Sequence, residues 1–146
     1  MFRVRTILYP TDFSSFSNHA YFHAVALAES LSAALAVTYV ATPDQRGELD
    51  YWRGQLDQIR PANPAIDVSH VFLQGDPGAE IVRYAQEAGI DLIVMGTHGR
   101  TGVERLLTGS VAEQVLRGAH CSVMCVKLPK GSPDPERPHV GTAATA

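Results

Sequence analysis

The chain of 146 residues predicts an α/β domain: a doubly wound, five-stranded, mostly parallel sheet with helices on both faces. Three observations carry the prediction. Short β-rich apolar runs alternate with stretches of helical period along most of the chain. The run LIVM at 92–95 is continuously apolar, as expected of a central strand covered on both sides. The length is near the commonest for a single domain and buries roughly 68–70% of the unfolded surface without disulfide or metal staples.

The elements follow in order. TILY at 6–9 reads as the first strand, stopped by Pro10, which has no N–H for a ladder. A turn rich in Ser, Asp and Asn leads into a helix. Its Phe16, Ala20, Ala24, Leu27 and Leu31, at spacings of 4, 4, 3 and 4, form one apolar stripe. ALAVTYVA at 34–41 is the second strand. Across 42–66 the pattern weakens; Leu49, Trp52, Leu56 and Ile59 keep a helical spacing, and Pro61 and Pro64 are expected to end that helix. Residues 68–73 form the third strand, closed by Gly75. Asp76-Pro77 then supplies a cap acceptor and a first-turn proline. The stripe Ile81, Val82, Ala85 and Ala88 follows, and Gly89 serves as the left-handed stop. The fourth strand is 92–95, a Gly-rich loop comes next, a helix runs from about 110 to 117, and residues 122–126 are the last strand. The proline-rich segment 129–146 has little to bury and is expected to be a disordered tail.

Composition narrows the function classes. Twelve Lys+Arg against fifteen Asp+Glu leave a net charge of −3, which supports neither a nucleic-acid surface nor a polybasic membrane anchor. No apolar run approaches the ~20 residues of a membrane span. Met1–Arg5 lacks the apolar stretch of a signal peptide, so a cytoplasmic location is expected. Cys121 and Cys125 fall on one face of a strand and read as core or interface side chains.

The chemistry concentrates after the fourth strand, in Met95-Gly96-Thr97-His98-Gly99-Arg100 and then Gly109-Ser110-Val111. Gly96 and Gly99 permit positive φ and remove Cβ atoms, so backbone N–H groups can converge on an anion. Gly109-Ser110 opens the next helix, whose unpaired N–H groups and positive dipole end make a phosphate seat. His98 and Arg100 add donors and charge. Two donor clusters beside one strand end suit a di- or triphosphate. In such sheets a ligand binds outside the carboxyl ends of the strands where strand order reverses, which selects the loops after strands one, two and four.

The spacing G-x₂-G-x₉-G-S resembles the universal stress protein family, in its ATP-binding branch. Pro10-Thr11-Asp12 with Ser14, Val40 at the end of strand two, and Met95-Gly96 at the end of strand four match it in order, over about residues 3–128. The resemblance implies a Rossmann-like, HUP-type sheet of strand order 3-2-1-4-5 within a nucleotide-binding domain at 1–128. It implies ATP, ADP or AMP as ligand, with Mg²⁺ held mainly by the phosphates. Pro10, Thr11 and Asp12 would line the adenosine end and Val40 would meet adenine through its backbone. Met95, Gly96, His98, Gly99 and Arg100 would form the phosphate loop, and Gly109, Ser110 and Val111 the second seat. The resemblance further implies a homodimer through residues 122–126 and a regulatory partner. The chain departs from the family pattern at His120-Cys121-Ser122, where a proline often stands, and in the short connection 42–66.

Plainer readings stand beside these. Asp12 can serve as a local turn or helix cap, and the glycines a tight turn. His98 reads as a phosphate donor or loop histidine, since no nucleophile or paired carboxylate is near it. His19 and His23 have a metal spacing, but H-A-Y-F-H lacks the Glu of a zinc protease and a third ligand. Trp52 reads as packing, with an aromatic lid over the nucleotide as the other option. No Walker lysine or G-x-S-x-G is present, which favours a nucleotide-dependent regulatory module. The alternative class is an enzyme, a slow ATPase or an adenylating enzyme of the HUP-type fold. Against adenylation, Pro10–Ser15 lacks the glycines of a Ser-Gly-Gly-x-Asp-Ser loop.

Overall fold

The computed structural model describes residues 2–97 and 110–127. Within them the chain runs β1 (Thr6–Pro10), α1 (Ser15–Leu31), β2 (Ala34–Ala41), a 3₁₀ segment (Pro43–Glu48), α2 (Leu49–Asp57), β3 (Val68–Gln74), α3 (Pro77–Glu87), β4 (Leu92–Gly96), α4 (Ser110–Gly118) and β5 (Ser122–Val126). All strand pairs are parallel and the sheet order is β3-β2-β1-β4-β5. The predicted fold and strand order are therefore the observed ones.

Strand alternation divides the core between two layers. Ile7, Tyr9, Leu35 and Val37 face α1 and α2, packing with Ala20, Ala24, Ala28 and Leu56. Leu8, Ile93 and Met95 face α3 and α4, packing with Ile81, Ala85, Ala112 and Val115. Ile7, Leu8, Leu35 and Ile93 are wholly buried, each contributing about 1.5–3 kcal/mol by transfer from water.

Local chemistry sets the element ends. Ser14 caps α1 by accepting from the Ser17 N–H, and Asp76 caps α3 by accepting from the Ala79 N–H. Gly89 takes the left-handed stop at φ 67°, while Ser32 serves α1 in the same way at φ 52°.

Several expectations need correction. The buried face of α1 is Phe16, Ser17, Ala20, Ala24 and Ala28; Leu27 is half-buried and Leu31 exposed. Small alanines bring this helix close to the sheet, and the last turn ends at the left-handed Ser32. Likewise Ala88 is exposed at the end of α3. Helix α2 stops at Asp57, before Ile59 and short of Pro61, and a 3₁₀ segment begun by Pro43 precedes it. Pro10 closes β1 from within, as its last residue.

Candidate functional site

A cleft of about 430 Å³ opens at the carboxyl end of the sheet, where the chain leaves β1 for β2 on one side and β4 lies on the other. Its lining includes Pro10, Thr11, Asp12, Val40, Met95, Gly96, Ser110 and Val111. The structure thus brings together the anticipated residues that it describes. His98, Gly99, Arg100 and Gly109 lie outside the described residues, as does the tail from 128 onward.

Backbone geometry explains why the cleft is open. The last hydrogen bond between the β1 and β2 chains runs from the Thr11 N–H to the Thr38 carbonyl, at 2.9 Å. Backbone groups of alternate residues point the same way along a strand, so the N–H and C=O of Val40 face the side where β1 has already ended. Ala41, on the opposite phase, accepts from the Gly75 N–H at 2.9 Å toward the β3 side. Val40 therefore presents one donor and one acceptor at the cleft's edge.

The loop after β1 is tightly specified. Thr11 Oγ1 accepts from the Phe13 N–H at 3.0 Å and lies 3.1 Å from Ser17 Oγ. Asp12 Oδ1 accepts from the Ser14 N–H at 3.0 Å. The plainer reading of Asp12 as a turn former is thus part of its role, while Ser14 is the helix cap. Phe13 sits between them at φ 64°, a left-handed conformation costing on the order of 1–3 kcal/mol for such a side chain. Its ring holds the turn in place, 4.8 Å from Tyr39 and 5.6 Å from Trp52 by ring centroids. Trp52 also stacks on Tyr39 at 5.2 Å, which makes it a packing residue of this cluster.

Beneath the loop, the Tyr9 hydroxyl donates to the Ser17 carbonyl at 2.6 Å. Burial pushes its pKa up to about 12, partly countered by the Thr11 and Ser17 side chains, so the phenol stays protonated and neutral.

At the β4 side, Gly96 departs from expectation. Positive φ occurs among the described glycines at Gly75 and Gly89, not at Gly96. Gly96 is required by close approach: a Cβ there would lie 2.8 Å from the Phe16 carbonyl oxygen in the first turn of α1. Thr97, the next residue, is 1% exposed and lines the cleft, and among the described residues its buried Oγ1 has no hydrogen-bond partner. A buried hydroxyl left unpaired costs roughly 1–3 kcal/mol, which a ligand acceptor or donor would recover.

Sequence reasoning also passed over the segment after β2. Thr42, Asp44 and Gln45 line the cleft opposite Pro77 and Ile81 of α3. Thr42-Pro43 with Gln45 three residues on was the available signal for a helix start there.

Two other features lie apart from the cleft lining. On α1, His19 and His23 pack edge to face at 5.3 Å, with His23 Nδ1 donating to the His19 carbonyl at 3.3 Å. Among the described residues no group of three or more His, Cys, Asp or Glu is gathered as a metal site. Cys121 and Cys125 are half-buried beside the α3/α4 core, and burial raises both thiols above their usual range.

The family model for universal stress proteins matches residues 3–127. The chain belongs to the universal stress protein family. It is 37% identical over 142 residues to universal stress protein MJ0531 of Methanocaldococcus jannaschii, covering 86% of this chain and 84% of that protein. Among solved structures, UspA from Lactobacillus plantarum superposes with a TM-score of 0.73 at 27% identity, covering 86% of this universal stress protein and 99% of the other. A universal stress protein crystallised in complex with cAMP superposes with a TM-score of 0.67 at 28% identity, over 86% and 98% of the two chains. No helix among the described residues is long and apolar enough to cross a membrane.

Proposed function

We propose that this universal stress protein binds an adenine nucleotide, ATP or its ADP and AMP forms, and acts as a nucleotide-dependent regulatory module in stress response. The observation that carries the reading is the cleft itself. It sits at the reversal of strand order, with the Val40 backbone pair, unclaimed among the described residues, near one end and Thr97 with the first turn of α4 at the other. The Val40 N–H and C=O match the N1 acceptor and N6 donor of adenine. Asp12, displayed by its turn, suits ribose hydroxyls. The residues 96–100 and 109–111 supply the phosphate loop, with backbone donors, Thr97 Oγ1 and the start of α4 replacing water around the phosphates. The likeness to a protein crystallised with cAMP supports an adenine ligand.

Mg²⁺ accompanies the nucleotide, held by phosphate oxygens and water. The domain occupies 1–128, with 129–146 as an appended tail. A second copy pairs along the outer edge of β5, and the nucleotide state is read by a regulatory partner in the cytoplasm. Calorimetry with ATP and Mg²⁺ tests the site: the wild type binds, and Gly109→Val weakens binding at least about tenfold by filling the phosphate seat. Equal affinity of the two would reject the site. Steady-state phosphate release stays below ~1 s⁻¹, the low end of typical enzymes; faster turnover would favour the ATPase reading.

A further inference from the structure

We propose that Gln45 is the residue by which this protein selects adenine over cytosine, a role that rests on the nucleotide reading above. The Val40 N–H and C=O cannot make that choice alone. Adenine offers N1 and N6–H₂ to such a pair, and cytosine offers the same pattern at N3 and N4–H₂. Adenine differs in carrying a further acceptor, N7, in the five-membered ring that a pyrimidine lacks. A fixed donor on the N7 side, where cytosine has only C5–H, therefore separates the two.

Gln45 is built to be that donor. It lines the cleft from the 3₁₀ segment that follows β2, five residues after Val40. Its Oε1 accepts from the Tyr39 hydroxyl at 2.8 Å and from the Thr42 N–H at 3.0 Å. The backbone N–H can only donate, so the oxygen must face it and the amide cannot be flipped. Nε2 is thereby turned away from the Tyr39 hydroxyl and the Thr42 N–H, and among the described residues nothing accepts from its two N–H groups. Tyr39 is itself held in the Phe13 and Trp52 stack, so the donor is fixed before any ligand arrives. Sites built around such a committed polar group discriminate strongly, because the wrong ligand leaves it unpaired.

Gln45→Glu isolates the claim. One carboxylate oxygen still accepts from Tyr39 and Thr42, so folding is retained, while the donor becomes an acceptor. The added negative charge weakens every nucleotide triphosphate alike and cancels in a ratio. Affinities of wild type and Gln45→Glu for ATP and CTP are measured by calorimetry with Mg²⁺, beside melting temperatures. The expected result is a wild-type preference for ATP of at least about tenfold that shrinks at least about fivefold in the variant. An unchanged ATP-to-CTP ratio in a folded variant overturns the assignment of Gln45 while leaving nucleotide binding intact. A wild type that binds neither nucleotide overturns the nucleotide reading and this inference together.

Discussion

Gly96 shows how one residue can serve packing where its neighbours suggest ligand chemistry. The missing side chain admits the Phe16 carbonyl, and that backbone oxygen belongs to the first turn of α1, which cannot shift without moving the loop after β1. Gly96→Ala is therefore expected to destabilise by about 1–3 kcal/mol, read from urea unfolding, even with no nucleotide present. A variant as stable as the wild type would show the approach to be adjustable. Asp91 makes a second prediction at this scale. Its Oδ2 accepts from the Arg5 and Thr6 N–H groups and lies 3.3 Å from Thr6 Oγ1, tying the start of β1 to the residue before β4. The Arg5 N–H above all, then those of Thr6 and the Arg5 charge, hold its carboxyl below the usual carboxylate range against some desolvation. A depressed folded pKa gives stability that is present above the unfolded value of about 3.9 and is lost as pH falls through the folded one. Asp91→Ala should thus melt below the wild type at pH 5–8, and the gap should close below about pH 4. A gap independent of pH would point to packing alone.

At the scale of elements, the loop after β1 and helix α2 are joined by stacking. Phe13 holds its left-handed turn because its ring is gripped by Tyr39 and Trp52, and the same turn displays Asp12. Trp52 is the sole tryptophan, so its fluorescence reports this junction alone. Phe13→Ala is expected to shift Trp52 emission to longer wavelength and to weaken ATP binding severalfold by loosening the Asp12 turn. Unchanged emission would mean the stack survives without Phe13. Most of this element was readable as helix by its Leu49, Trp52 and Leu56 spacing. Its early end at Asp57 and the 3₁₀ entry were not, because both depend on where β2 delivers the chain.

At the scale of the molecule, β5 is an edge strand among the described residues, paired there with β4 on its inner side. Met124 on β5 and Leu116 on α4 remain exposed, at 37% and 47%. An edge of this kind invites pairing with a second copy. If the proposed homodimer forms there, Met124→Lys should give a monomer by light scattering while ATP affinity stays within about twofold. A dimer that persists would move the interface elsewhere. A chain ending at residue 128 should keep the wild-type melting temperature and ATP affinity, since 129–146 lie outside the proposed domain.

Taken by itself, the sequence determined the layered architecture. Alternating short apolar strands with amphipathic helices leaves few ways to bury both faces of a sheet, and the caps at Asp76 and Gly89 are local chemistry. It also marked the strand ends at Asp12, Val40 and Gly96 that line the cleft. Tertiary structure decided what those positions do to one another. Only the parallel registration of β1 and β2 shows that Val40 lies beyond the last ladder bond, and only the approach of α1 to β4 explains Gly96. The orientation of Gln45 likewise depends on the Tyr39 hydroxyl, six residues away along the chain but beside it in space. Periodicity records which face a residue presents, whereas contacts between the ends of separate elements depend on distances that no local pattern encodes.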